Sequence, residues 1–343
     1  MPIRWVGIDL GKTPFHLVAL SAAGKVLLRK KFTRKQLITF TANLQTCLIG
    51  MEACSGAHFL GCALREQGHE VKLIPAQFVK PFVKSNKNDF LDADAIAEAV
   101  DRQNLRFVPI KTDDQLDLQA LHRVRDRLIA RRTAVINQLR AFLLERGMTL
   151  AKTPAKLKVA MSEILEDADS NLTPRMRNLV SLLWSEWKDL EQQIVAMNAE
   201  VEQIASSDPA CQRLRQIPGI GPLLATAIVA AIGNGSAFHK RREFASWLGL
   251  VPRQHSTGGK ARLFGISKRG NRYLRKILVH GARSAVLRVK RERSPFGAWL
   301  DALEQRAPIN LVITAAANKL SRIVWAVLSS GQDYRPAVTA MPA

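Results

Sequence analysis

A carboxylate sits in the first strand of this chain. The run Ile3-Arg4-Trp5-Val6-Gly7-Ile8-Asp9-Leu10 is otherwise near-continuously apolar, and burying an acid in such a strand is costly unless something pairs with it. Whatever fold follows must bring a partner to Asp9. Two more strand-like runs follow, 15–20 and 26–32, with Gly24 marking the turn between them. The pattern then predicts a helix over 34–43, a buried strand from Cys47 to Glu52 that ends in an acid, a helix over 57–67 and a fifth strand from Val71 to Ile74. Three meandering strands and then alternating helix and strand is the order of a ribonuclease-H-like α/β domain. Ligands of open α/β sheets gather beyond the strand ends, which is where Asp9 and Glu52 would meet a third element.

That element is Lys87-Asn88-Asp89-Phe90-Leu91-Asp92-Ala93. Asn88 or Asp89 can cap the small and apolar run Ala93, Ala95, Ile96, Ala97, Ala99, Val100. Residues three apart share a helix face, so Asp89 and Asp92 hold their carboxylates side by side and repel unless a proton or cation lies between them. The plainer reading is a helix start whose acids suit the macrodipole, and for Glu52 a strand-end acid facing water. Four carboxylates at one rim, Asp9, Glu52, Asp89 and Asp92, would bind Mg2+ or Mn2+, hard ions that take oxygen ligands. Two such ions about 4 Å apart serve phosphodiester transfer. Gly7-Ile8-Asp9-Leu10-Gly11 also matches the opening phosphate loop of sugar kinases and actin-like ATPases. Those proteins need a second Asp-Gly-Gly loop and an adenosine-binding Gly-Gly turn in a later α/β domain, and here helices and a basic unit follow instead.

From Asp113 to about Arg146 the pattern is helical, with Leu121, Leu128, Val135 and Phe142 seven apart, until Pro154 breaks it. A second long helix, from about Pro174 to Ala205, carries Leu183, Trp187, Leu190, Ile194, Met197, Val201 and Ile204 at alternating spacings of four and three. This is a coiled-coil seam, closed either within one chain as an antiparallel hairpin or between two protomers. Near Pro209 a new unit begins. Its Ile217-Pro218-Gly219-Ile220-Gly221-Pro222 before an Ala-rich helix resembles a helix-hairpin-helix turn, in which glycines let backbone N–H groups approach phosphate. The last helix runs from about Ile309 to Leu328 and the tail beyond Tyr334 is loose.

Charge narrows the partners. Lys and Arg number 51 against 29 acids, a net charge of +22, which calls for a polyanion. Between His239 and Arg293 the only acids are Glu243 and Glu292, against sixteen cations that include Arg253, Lys260, Arg262, Lys268, Arg269, Arg272, Arg275 and Lys276. Solvated surfaces mix signs, so this stretch reads as a nucleic-acid surface. A membrane is not indicated: Leu223 to Ile232 falls short of the roughly 20 residues a bilayer needs, and Asn318, Lys319 and Arg322 interrupt the C-terminal apolar stretch. Cys47, Cys54, Cys62 and Cys211 show no CxxC spacing and read as buried free thiols in a reducing cytoplasm. In the basic unit, Ser256 lies between His255 and Gly258-Gly259, among cations suited to a pentacovalent phosphorus. It is either a phosphate hydrogen-bonder or a nucleophile.

With these residues in hand, the chain resembles the DEDD insertion-sequence transposases related to the Piv invertase, viewed as bridge-RNA-guided recombinases. Gly7-Ile8-Asp9, Glu52 in Gly50-Met51-Glu52-Ala53, and Lys87-Asn88-Asp89-x-x-Asp92-Ala93 are similar to the family's four metal-binding acids in a RuvC-like domain. Ile217-Pro218-Gly219-Ile220-Gly221, Gly249-Leu250-Val251-Pro252-Arg253 and Ser267-Lys268-x-Gly270 resemble its C-terminal transposase domain. The resemblance implies a RuvC-like domain over 1–112, a helical coiled-coil region over 113–207, a mainly helical transposase domain over 208–330 and a tail over 331–343. It implies a serine nucleophile, Ser256 with Ser267 and Thr257 as alternatives, assisted by Mg2+ (or Mn2+) on the four acids. It also implies a homo-oligomer, dimer or tetramer, that holds donor and target DNA and a structured guide RNA, with serine and acids from different protomers. Two other readings stay open: a RuvC-like junction nuclease with water as nucleophile, and a non-enzymatic nucleic-acid scaffold.

Overall fold

The computed structural model describes residues 2–83, 88–102, 104–150, 153–167, 171–289, 291 and 295–335. Lys87, Lys290, Glu292, Arg293 and the tail prolines Pro336 and Pro342 lie outside the described residues. The chain divides into two compact units, residues 1–113 and 114–343.

The first unit is a five-stranded sheet. β1 (Ile3–Leu10), β2 (Phe15–Ser21) and β3 (Val26–Phe32) form an antiparallel meander. β4 (Leu48–Glu52) and β5 (Glu70–Ile74) then add in parallel on the other side of β1, giving the order β3-β2-β1-β4-β5. The parallel strands need crossovers, and α1 (Arg34–Ala42) and α2 (Ala57–Glu66) supply them. Thr33 and Gln36 cap α1 reciprocally in a capping box. Alternation along β1 sends Val6 and Ile8 to one face, where they pack with Leu17, Ile49, Met51, Leu60 and Leu64. This mixed α/β arrangement fits the ribonuclease-H-like order read from the sequence.

The opposite face of the sheet takes α3 (Ala76–Val79) and α4 (Asp89–Ala99). Here the sheet is floored with glycine for a steric reason. A Cβ at Gly7 would lie 2.1 Å from the Ala93 carbonyl oxygen and 2.8 Å from the Ala97 Cβ, and one at Gly50 would lie 2.8 Å from the Val100 Cβ. Small residues on both surfaces let the helix backbone settle against the strands, with Val18, Leu20, Ala93 and Ala97 sealing the contact.

The second unit is helical apart from one ribbon. α5 (Asp113–Leu144) and α7 (Pro174–Ser207) run antiparallel, as the pairs Arg125–Asn198, Arg131–Glu186 and Arg132–Glu191 require. The seam residues Trp187, Leu190 and Ile194 are covered by Leu128, Val135, Ile136 and Leu139 of α5 and by Leu157 and Met161 of α6 (Pro154–Glu166). The heptad pattern is thus satisfied here inside one chain. Pro154, which interrupts the pattern, opens α6 at its first position, where a missing N–H costs nothing.

The remaining helices are α8 (Pro209–Arg215), α9 (Pro222–Ile232), α10 (Arg241–Trp247), α11 (Arg272–Arg288), α12 (Pro295–Glu304) and α13 (Ile309–Ser330). By length and composition α13 is apolar enough to cross a membrane, but its apolar stripe, including Val312, Ile313, Leu320 and Val324, is buried in this unit's core. At the turn between α8 and α9, Gly219 has φ +83° and a Cβ there would lie 2.3 Å from the Gly281 carbonyl oxygen of α11. That glycine, expected to admit a phosphate, is therefore occupied by helix packing.

Three expectations need correction. The stretch around Ser256, given no strands in the sequence reading of a mainly helical domain, is a β-hairpin, β6 (Pro252–Thr257) and β7 (Lys260–Ile266), turned by Gly258 and Gly259. Both glycines have positive φ, as a two-residue hairpin turn demands. The helices α3, α6, α8, α10, α11 and α12 were not foreseen. Of the four free cysteines only Cys47 and Cys211 are buried, and Cys54 is exposed.

A buried polar link joins α5, α9 and α11. His122 has its Nδ1 3.0 Å from the Tyr273 hydroxyl and its Nε2 3.0 Å from Thr226 Oγ1, whose own hydroxyl donates to the Pro222 carbonyl. Burial, and then the charge of Arg125, pushes His122 down to about 4. The folded chain thus holds it neutral, whereas the unfolded chain binds a proton below about 6.5. Its contribution is complete above that pH and is lost as pH falls toward 4, worth roughly 3 kcal/mol when fully developed. Thermal melts from pH 7 to 4.5 should show a falling midpoint that His122→Gln flattens; parallel curves for the two proteins would contradict this.

Candidate active site

The sheet register assembles the first acids. β1 and β4 run parallel with Gly7 beside Gly50 and Ile8 beside Met51, so Asp9 and Glu52 follow side by side at the strand ends. In the antiparallel neighbour β2, His16 stands opposite Asp9. Residues two apart on a strand share a face, so Asp9 and Glu52 lie on the face that Gly7 and Gly50 give to α4. Asn88 caps α4 by accepting the Phe90 N–H at 2.9 Å, which places Asp89 and Asp92 in its first turn.

Electrostatics shows that the four acids feel one another. Burial raises the Asp9 pKa, and Asp92, Asp89 and Glu52 raise it further, against a lowering influence from His16. Glu52 is raised by burial and then by Asp92. Like charges held together in this way leave the ionised form disfavoured. His16 was missed in the sequence reading, although its place opposite Asp9 across the short Gly11–Pro14 turn could have revealed it. It is 6% exposed, its ring meets Phe90 edge-on at 4.7 Å, and its Nδ1 lies 3.6 Å from Asp89 Oδ2 with no hydrogen-bond partner.

An all-oxygen donor set with a surplus of negative charge, in which Asp9 and Glu52 have raised pKa values, suits a hard divalent cation. Among the described residues, no three His, Cys, Asp or Glu side chains are close enough as placed to hold a metal. The fit therefore lies in charge and donor type, and cation binding would have to draw the carboxylates inward.

The second unit carries the serine and the predicted cations. Ser256 is exposed on β6 and accepts a 2.7 Å hydrogen bond from the Gln254 side-chain amide. Gln254, Ser256, Ala261 and Leu263 share one face of the ribbon by alternation and register. His255 occupies the other face, edge-on to Phe264 at 5.3 Å with Arg262 stacked over the same ring. Adjacency in sequence thus separates His255 from Ser256. Thr257 shares His255's face, and Ser267 sits half-buried at the ribbon's base, its N–H donating to the Val251 carbonyl.

Arg253, Lys260, Arg262, Lys268, Arg269 and Arg272 are exposed. Lys268 adopts φ +56°, a region non-glycine residues rarely visit. Arg275 instead donates to the carbonyls of Leu248 and Arg269, both at 2.9 Å, tying the ribbon's two ends to α11. Lys276 pairs with Asp126 of α5. Both side chains have structural duties, which sequence counting of cations cannot reveal.

An acid-rimmed ribonuclease-H-like sheet together with a cationic serine-bearing ribbon defines an enzyme that acts on polynucleotides. Comparison with known proteins specifies which. Residues 6–147 match a transposase domain of the DEDD type found in IS110, and residues 211–297 match the transposase IS116/IS110/IS902 family. The chain is 43% identical over 332 residues to the transposase for insertion sequence element IS1328 of Yersinia enterocolitica, covering 97% of this chain and 98% of that one. It is 42% identical over 337 residues to a probable family 20 transposase of Pseudomonas aeruginosa, covering 98% and 100%. It is 40% identical over 333 residues to the transposase for IS1111A of Coxiella burnetii, covering 97% and 92%. The chain belongs to the IS110/IS116 family of insertion-sequence transposases, enzymes of DNA transposition.

The raised pKa of Asp9 carries a stability consequence. Near neutral pH the fold works against an ionised carboxylate, so Asp9→Asn should raise the thermal midpoint without divalent cations, and, if the acids take a cation, should lack the further rise expected of the wild type on adding Mn2+. His16→Ala should shift the Mn2+ concentration for half-maximal stabilisation upward by about 10- to 100-fold, as loss of a carboxylate's supporting neighbour does. Thermal melts across a Mn2+ titration measure both effects. An unchanged Mn2+ response in Asp9→Asn would contradict the assignment.

Proposed function

We propose that this transposase cuts and rejoins DNA with Ser256 as nucleophile, assisted by Mg2+ or Mn2+ on Asp9, Glu52, Asp89 and Asp92. The observation that carries the reading is the 2.7 Å hydrogen bond from Gln254 to Ser256 Oγ on an exposed ribbon edged with cations. The amide donates to the hydroxyl oxygen, so the hydroxyl proton is free to leave toward another acceptor, and the same N–H stabilises the alkoxide that develops. Arg253, Lys260 and Arg262 would hold the phosphates on either side of the reacting one. Attack forms the serine–phosphorus ester as the bond to the departing sugar oxygen breaks, and that oxygen takes up a proton. Attack by a second strand's hydroxyl reverses the step, frees the serine and conserves the number of phosphodiester bonds.

A divalent cation on the acids would supply Lewis-acid stabilisation of charge on the phosphate oxygens. Asp9 and Glu52 would be its strand-borne anchors, and Asp89 and Asp92 would bring the helix-borne charge. Target choice by a structured guide RNA accords with the net charge of +22, which favours polyanionic partners. In this reading the enzyme works as a homo-oligomer in the cytoplasm, where it meets donor and target DNA.

Trapping under denaturing conditions tests the nucleophile. Wild type and Ser267→Ala should each yield a covalent protein–DNA adduct. Ser256→Ala should yield none and lose recombination to background while binding DNA and RNA as before. An adduct that persists in Ser256→Ala moves the role to another residue, and the absence of any adduct in wild type favours water as nucleophile.

A further inference from the structure

A second group of cations lies away from the ribbon's sequence, on α10 and α13. Lys319 and Arg322 are three residues apart on α13 and so share a helix face. That helix packs in one core with α10, through Phe244 of α10, Leu248 at its C-cap, and Leu320 and Val324 of α13. Arg241 and Arg242 open α10 and are exposed. Lys319 is held in place by rings of α12, its Nζ 4.1 Å from the Trp299 centroid and 5.6 Å from that of Phe296. Arg322 is half-buried like Lys319, and its Nε is buried without a hydrogen-bond partner.

Among the described residues no acid answers these charges, and none of the four forms a salt bridge. Burial, and then Arg241 and Arg242, lower the Arg322 pKa, while burial and then Arg322 lower that of Lys319. Glu243, the acid on α10, accepts the His239 backbone N–H. A partly buried guanidinium with an unpaired donor, facing two others of like charge, is unfavourable unless an anion completes it. A solvated surface would spread such charges apart or interleave acids.

We propose that Arg241, Arg242, Lys319 and Arg322 form a binding site for a backbone phosphate of nucleic acid, distinct from the cations of the β6–β7 ribbon. The inference rests on the reading of this chain as a nucleic-acid enzyme and adds a second, pre-built point of attachment. Guanidinium groups bind phosphate through paired N–H donors, and a fixed ammonium on an aromatic face adds charge at little ordering cost. Two separate points would let one protomer hold two strands, or two stretches of one strand.

The test compares full-length wild type with Arg241→Ala/Arg242→Ala, and with Lys25→Ala/Lys35→Ala as an equal-charge control at exposed positions of the other unit. Binding to a labelled DNA duplex and, separately, to a labelled single-stranded RNA is measured from 50 to 300 mM salt. The double arginine variant should bind at least one polymer more weakly. Its plot of log K against log salt should be shallower by about 1–2, while the control stays near wild type. The polymer that loses slope identifies the source of the phosphate. Because like charges are removed, the variant's thermal midpoint without nucleic acid should equal or exceed that of wild type. Slopes like those of the control on both polymers, or a lowered midpoint, would overturn the site while leaving the nucleic-acid reading intact. Failure of wild type to bind either polymer would overturn both.

Discussion

The docking of α4 on a glycine floor is the contact on which the acid cluster of the first unit depends. Gly7 and Gly50 lie beside each other on parallel strands, and each meets α4 at a distance that leaves no room for a Cβ. The overlap at Gly7 involves the backbone carbonyl of Ala93, which cannot rotate away. Any side chain there would push the helix outward, at about 1–3 kcal/mol or more for overpacking of this kind. What makes this more than packing is the two-residue step. Asp9 follows Gly7 and Glu52 follows Gly50, so the alternation that turns the glycines toward α4 also turns the acids toward Asp89 and Asp92.

The convergence has a cost that is visible in the raised pKa values of Asp9 and Glu52. Carboxylates brought together without being neutralised repel one another, and that repulsion opposes their ionisation. His16 tempers the cost, being opposite Asp9 in the meander and 3.6 Å from Asp89. The C-terminal unit shows a like-charge group of the opposite sign. There burial, and then Arg241 and Arg242, lower the Arg322 pKa and its buried Nε is left unpaired, while Arg275 and Lys276 are satisfied internally and stiffen the base of the ribbon.

Much of the first unit could be read directly from the sequence because its signals are local. Strand runs, the Gly24 turn and the capped start at Asn88 each carry their own propensity, and their order implies the sheet. The middle helices were readable from heptad spacing, but periodicity alone cannot say which surface covers a seam. That question is answered only by Leu128, Val135 and Leu139 of α5 packing on Trp187 and Leu190. The ribbon was not recognised as strands because cations and polar residues masked its alternation, although Gly258-Gly259 is a hairpin turn signal. Gly219 was misread because a glycine needed for close approach looks the same in sequence whether the neighbour is a phosphate or another helix. His16 escaped notice since its meaning depends on a cross-strand neighbour.

The central claim is that acids from β1, β4 and α4 act as one cation site because the helix is seated on glycine. The most direct measurement is the anomalous scattering of Mn2+ soaked into crystals of the full-length protein. The account predicts a peak in contact with carboxylate oxygens of both Asp9 and Asp92, at about 2.1 Å, and the loss of that peak in Asp9→Asn. A peak held by α4 alone, or Mn2+ bound elsewhere with Asp9 untouched, would contradict it.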